Sequence, residues 1–97
     1  DNAIKLVLDK KALYPNDAYF YELLAKAYST KNKKLLSFQA QGEAYYRKYN
    51  LKKAIEQMEL AAKANDGNFY EHSIVEARLK DFRRLQENEK LADERLS

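Results

Sequence analysis

His72 and Ser73 stand side by side, with Glu76 one turn further on, and together they hold the residue types of a hydrolytic triad. Inside a helix, however, adjacent side chains diverge by about 100°, and no oxyanion loop accompanies these three. His72 is the sole histidine, so the paired histidines of a His-Glu-x-x-His zinc site cannot form. It reads as a surface histidine at a helix start. Glu56 and Glu59 lie one helical turn apart and read as ordinary solvated acids. The chain has no cysteine, which removes disulfides, thiolate metal sites and a cysteine nucleophile together. It carries neither a glycine-rich phosphate loop nor a carboxylate-rich calcium loop. Catalysis is not expected from this segment, and no cofactor is expected in it.

Binding chemistry is better represented. Residues 26–53 hold eight Lys/Arg against the single acid Glu43, whereas residues 54–97 hold seven basic and ten acidic residues. A basic middle beside an acidic end makes the molecule electrically polar and able to orient a partner; solvated helix faces and loop lysines account for the same pattern. Tyrosines interleave the basic run, and phosphate neutralisation with stacking is how single-stranded nucleic acid is held. Here the basic residues spread over two helices and their loops, and the isoelectric point near 9.0 is borderline for a basic domain. Nucleic acid is therefore not expected as a partner. Tyr46 and Arg47 are interface-type residues. Tyr46 either lines a recognition groove or packs on the preceding helix.

The elements that position these residues are helices. Two glycines and one proline in 97 residues fit long uninterrupted helices better than a turn-rich sheet. No run approaches the roughly 18 apolar residues of a membrane span, so no membrane insertion is expected. The first helix is expected over about 3–14, with Ile4, Val7 and Leu8 on one face, Ala3 spaced for close packing and Pro15 as its stop. Asp17 is a candidate N-cap for the second, whose stripe is Tyr21, Leu24, Ala25 and Tyr28. The third, about 35–49, places Leu35, Phe38, Gly42, Tyr45 and Tyr49 on one side. Gly42 costs about 1 kcal/mol there relative to alanine, so it implies a close neighbour. Asn50 marks a tight turn.

The fourth helix, about 51–65, buries Leu51, Ala54, Ile55, Met58, Ala61 and Ala62. Gly67 suits the left-handed position that stops it. Asn68 and Glu71 form a capping-box pair for the fifth helix, with Val75, Leu79 and Phe82 inward and Ile74 and Leu85 at the margins. Beyond Leu85 the chain turns strongly polar and fraying is expected. Residues 1–87 then form the domain, and 88–97 a polar tail, frayed or continuing as helix.

Tyr21, Leu24, Ala25 and Tyr28 recur 17 positions later as Phe38, Gln41, Gly42 and Tyr45. Ala54, Met58 and Ala61 follow as a closely packing helix. A helix pair of about 34 residues with small and aromatic positions in this order resembles the tetratricopeptide repeat, which implies an all-α, right-handed helical solenoid of about five antiparallel helices. The second and third helices match the same half of the repeat, so one must both close one unit and open the next.

From Pro15 to Arg83 the chain also resembles the C-terminal repeat domain of periplasmic zinc metalloproteases that look after outer-membrane barrel assembly. The carrying segments are Tyr21 to Tyr28, Gln39 to Tyr46, Ala54 to Ala61, and Asp66 to Tyr70 followed by Glu76 to Leu79. Phe38 stands where that family often carries a histidine. The resemblance implies a Gram-negative periplasm, and zinc held by a separate protease domain, with none of its ligands in this segment. Because the chain begins at Asp1, it reads as a piece of a longer protein. The implied partners are a protein or peptide ligand, such as an outer-membrane barrel protein or assembly factor, and the chain's own protease domain.

Counted from the repeat template, Glu22, Lys26, Gln39, Glu43, Tyr46 and Arg47 are expected to project into a concave groove. The alternative is a structural or regulatory domain that packs on the protease and controls access to it, through Phe69, Tyr70, Ile74 and Phe82.

Overall fold

The computed structural model describes residues 2–13 and 16–96, with side chains described for 4–9 and 16–96. The expected stop at Pro15 and the packing of Ala3 lie outside what is described. The described chain is all-α, with five helices: α1 (Asn2–Leu13), α2 (Ala18–Thr30), α3 (Lys34–Arg47), α4 (Leu51–Lys63) and α5 (Phe69–Leu96). Each helix packs on the next, and α3 also reaches α5. Among the described residues, no helix is long and apolar enough to cross a membrane.

Two helix starts follow the expected caps, at Asp17 and Asn68, and Asn50, expected to mark a tight turn, caps a third. Asp17 accepts the Tyr19 amide at 2.9 Å, and Asn50 accepts that of Lys53 at 3.2 Å. Asn68 and Glu71 cap each other reciprocally, at 2.8 and 3.0 Å. The start of α3 is different, because Lys33 offers no side-chain cap. Its amides at Lys34 and Leu35 are instead bound by the Asp66 carboxylate, reached from the α4–α5 connection.

The 17-residue recurrence extends into the helix ends. At the end of α2, the Lys33 amide donates to Tyr28 O at 2.9 Å and that of Asn32 to Ser29 O at 2.9 Å, with Asn32 at φ 59°. At the end of α3, the Asn50 amide donates to Tyr45 O at 2.9 Å and that of Tyr49 to Tyr46 O at 3.1 Å, with Tyr49 at φ 63°. Both are the paired 6→1 and 5→2 bonds of the Schellman ending. Asparagine tolerates its left-handed residue; a bulky tyrosine there is an outlier.

Two glycine expectations separate. A Cβ on Gly42 would lie 2.9 Å from Met58 Cε and 3.3 Å from the Ala54 carbonyl, so α4 does approach α3 closely at this point. Gly67 does not adopt a left-handed conformation. It makes room instead, since a Cβ there would meet Leu35 Cδ1 at 2.3 Å.

The core falls into two clusters joined through α3. Leu35, Ala54, Ile55, Met58, Ala61, Val75, Leu79 and Phe82 form one between α3, α4 and α5. Leu24, Ala25 and Ala40 form the other, with Ile4, Val7 and Tyr28 against it. Because α3 is buried on both sides, through Ala40, Gly42 and Ala44, one helix serves both neighbours. Leu8 and Tyr49, expected on buried faces, are exposed. The fifth helix runs 28 residues to Leu96, so of the two outcomes expected for the polar tail the structure takes the helical continuation.

Candidate functional site

The C-terminal turn of α3 carries Glu43, Tyr46 and Arg47. Residues spaced three and four apart share a helix face, so Arg47 folds back one turn onto Glu43, with Nη1 2.6 Å from Oε1 and 3.1 Å from the Glu43 carbonyl. From α5, Arg78 donates Nε to Oε2 at 2.7 Å and Nη2 to Oε1 at 3.0 Å. The Glu43 carboxylate is thus held between two guanidiniums. Burial pushes its pKa up, but the bonds from Arg78 and Arg47 outweigh that and hold it below the ordinary glutamate range. The same contact raises the pKa of Arg78.

Aromatic rings complete the cluster. The Arg47 guanidinium lies 4.0 Å from the centroid of Tyr21. Tyr46 stacks on Phe82 at 4.9 Å, and Arg78 lies 4.5 Å from the Phe82 ring. Desolvated cation–ring contacts of this kind are each worth about 1–2 kcal/mol, so the cluster fixes α2, α3 and α5 to one another.

Two hollows flank it. A cleft of about 520 Å³ is lined by Asn16, Tyr46, Arg47, Tyr49, Leu51, Leu85 and Glu89, between the α3–α4 turn and the projecting half of α5. A smaller one of about 170 Å³ is lined by residues that include Leu8, Tyr21, Tyr28, Gln39 and Glu43. Burial raises the pKa of Tyr28, and the negative charge of Glu71 adds to this. The Arg47–Glu43 bond stands between the hollows, with Arg47 lining the large one and Glu43 the small one.

The six residues expected on one groove are therefore divided. Tyr46 and Arg47 line the cleft; Gln39 and Glu43 line the small hollow. Glu22 is ion-paired to Lys48 at the surface, and Lys26 is exposed; neither lines either hollow. Glu43, expected to project toward a ligand, is 8% exposed because two arginines neutralise it in place. Of the aromatic docking set on α5, Phe69 and Tyr70 are exposed, but Phe82 is fully buried beneath Tyr46. Ser73 directs its hydroxyl to the Phe69 carbonyl of its own helix, at 2.9 Å.

Sequence reasoning missed Tyr49 as a cleft residue, although its position 17 residues after Asn32 was a usable signal. Nothing in the spacing pointed to Arg78, 35 residues from its partner. The basic middle is partly absorbed locally, with Lys48 and Lys53 within 5.7 Å and 5.6 Å of the Tyr45 ring centroid. Comparison with protein-family models, curated proteins and solved structures finds no match to this chain.

Proposed function

We propose that this chain is a non-catalytic protein-interaction domain of tetratricopeptide-repeat-like architecture that takes a protein or peptide ligand in the cleft at the end of α3. The observation that carries this reading is Tyr49. It is a bulky residue in the left-handed region at φ 63°, 97% exposed, at the mouth of a cleft whose floor includes Tyr46, Leu51 and Leu85. A ring held at a conformational cost with almost no packing return is what a binding anchor looks like before its partner arrives. The buried Glu43 cluster keeps the floor rigid, which lowers the ordering cost of binding.

The solenoid reading is supported by the contact of α3 with both α4 and α5, and by the repeated helix endings. The resemblance to the repeat domain of periplasmic zinc metalloproteases supports a Gram-negative periplasm, with barrel proteins or their assembly factors as ligands and zinc confined to the protease domain. A second reading, a domain that packs on the protease and controls access to it, is favoured by exposed Phe69 and Tyr70 at the start of α5.

Capture from a periplasmic extract, compared between the parent chain and Tyr49→Gly, tests the first reading. Arg47 is unsuitable for this purpose because it holds Glu43. An envelope or assembly protein captured by the parent and lost in Tyr49→Gly is the expected result. Capture that is unchanged in Tyr49→Gly but lost in Phe69→Ala/Tyr70→Ala would overturn it in favour of the second.

A further inference from the structure

Residues 83–96 of α5 are exposed throughout. The arm continues α5 beyond its buried turns, and a covering surface would stabilise a segment that little else in the chain holds. Leu85, Glu89, Ala92 and Leu96 fall on one face of it, and that face starts at the cleft, which Leu85 and Glu89 line. Leu91 and Leu96 are exposed further out. Charge indicates what covers the arm. Residues 86–96 carry four acids against two bases, whereas residues 44–55 carry four bases and no acid; Arg47 and Lys48 are already bound to Glu43 and Glu22, and Lys52 and Lys53 face solvent. The arm and the turn beside the cleft are thus of opposite sign on the same chain.

We propose that, when no other ligand fills it, the cleft is occupied by the α5 arm of a second copy of this chain. The two arms run antiparallel, with Leu96 of each copy entering the other's cleft beside Leu85 and Tyr49. Setting Leu85 against the second copy's Leu96 sets Glu89 against its Ala92, and the same register repeats in reverse. The arrangement closes on two copies by a two-fold axis. The acidic arm of each copy then lies along the lysines of the other's α3–α4 turn. This inference rests on the reading of the cleft as a docking surface and names its occupant.

Sedimentation equilibrium of the full chain from micromolar to near-millimolar concentration tests it, with Leu96→Glu as the arm variant and Tyr49→Gly as the cleft variant. Both positions are exposed, and circular dichroism checks that folding is kept. A dimer is expected that weakens with added salt and weakens about tenfold or more in either variant, the scale of losing one interface anchor. An equimolar mixture of the two variants keeps one arm–cleft contact intact and puts both lesions in the other, where Leu96 and Tyr49 meet and their losses overlap rather than add, so it is expected to associate more tightly than either variant alone.

A monomer at every concentration, a dimer untouched by both variants, or a mixture no tighter than its components would each overturn the proposal. A monomeric chain that still captures an envelope protein through Tyr49 removes only the second copy and leaves the cleft reading standing. A monomer whose capture is indifferent to Tyr49→Gly removes both.

Discussion

Arg78 meets Glu43 side-on, Nε to Oε2 at 2.7 Å and Nη2 to Oε1 at 3.0 Å, and so ties α5 to α3 across 35 residues of sequence. Arg47 holds the opposite side of the same carboxylate. A buried carboxylate with two guanidiniums is fully bonded, but removing any one member leaves charge uncompensated in a poorly solvated place.

Glu43→Gln is therefore expected to destabilise the fold by about 3 kcal/mol, read as a lower urea midpoint with unchanged slope. The pH dependence follows from the lowered folded-state pKa of Glu43. Its contribution is complete above the unfolded value of about 4.3 and is lost as pH falls through the lower folded value. The parent should lose stability steeply on acidification from about pH 5 downward, and Glu43→Gln should show a shallower fall. Equal slopes in the two proteins would show that the cluster is not the acid-sensitive element.

Asp66 makes a second long-range tie, closing the start of α3 from the α4–α5 connection. Desolvation would raise its pKa, but the Leu35 and Lys34 amides outweigh this and lower it. Asp66→Ala is expected to cost about 1 kcal/mol, as for other lost N-caps. Hydrogen exchange localises the effect: amides in the first turn of α3 should lose protection, while those of α2 are unchanged. Uniform loss across the molecule would argue against a capping role.

Gly42 opposes two effects. Alanine gains about 1 kcal/mol of helix propensity over glycine, yet its Cβ would press on Met58 and on the Ala54 carbonyl of α4. Overpacking of a tight core costs about 1–3 kcal/mol, so Gly42→Ala is expected to be net destabilising by about 1 kcal/mol in chemical denaturation. A stabilised variant would mean that the two helices can separate freely.

What was legible in the sequence is what local chemistry decides. The apolar stripes at Tyr21 and Leu24, Ala54 and Met58, and Val75 and Leu79 announced their helices, and Asp17 and Asn68 announced two starts. The division of the site was not legible, because it depends on contacts such as Glu43 with Arg78 that have no sequence periodicity. Gly67 was misread for a related reason: a glycine beside a helix end looks like a left-handed stop, and only the position of Leu35 shows that it serves close approach. The arm beyond Leu85 keeps high helix propensity with little to bury, so composition alone suggested fraying.

The matched helix endings allow a prediction with opposite signs at equivalent positions. Asn32 and Tyr49 both sit in the left-handed region, which costs a residue with an ordinary Cβ roughly 1–2 kcal/mol and glycine almost nothing. Asn32→Ala should destabilise by about 1 kcal/mol, because alanine lacks the tolerance of asparagine. Tyr49→Gly should stabilise by about 1 kcal/mol, since the exposed ring contributes little packing to be lost. If the tyrosine is retained for binding, the same variant must gain stability and lose affinity together. Thermal denaturation beside the capture assay reads both. A Tyr49→Gly chain that is less stable than the parent would show that the ring packs within its own chain, and the strain argument for the cleft would fail with it.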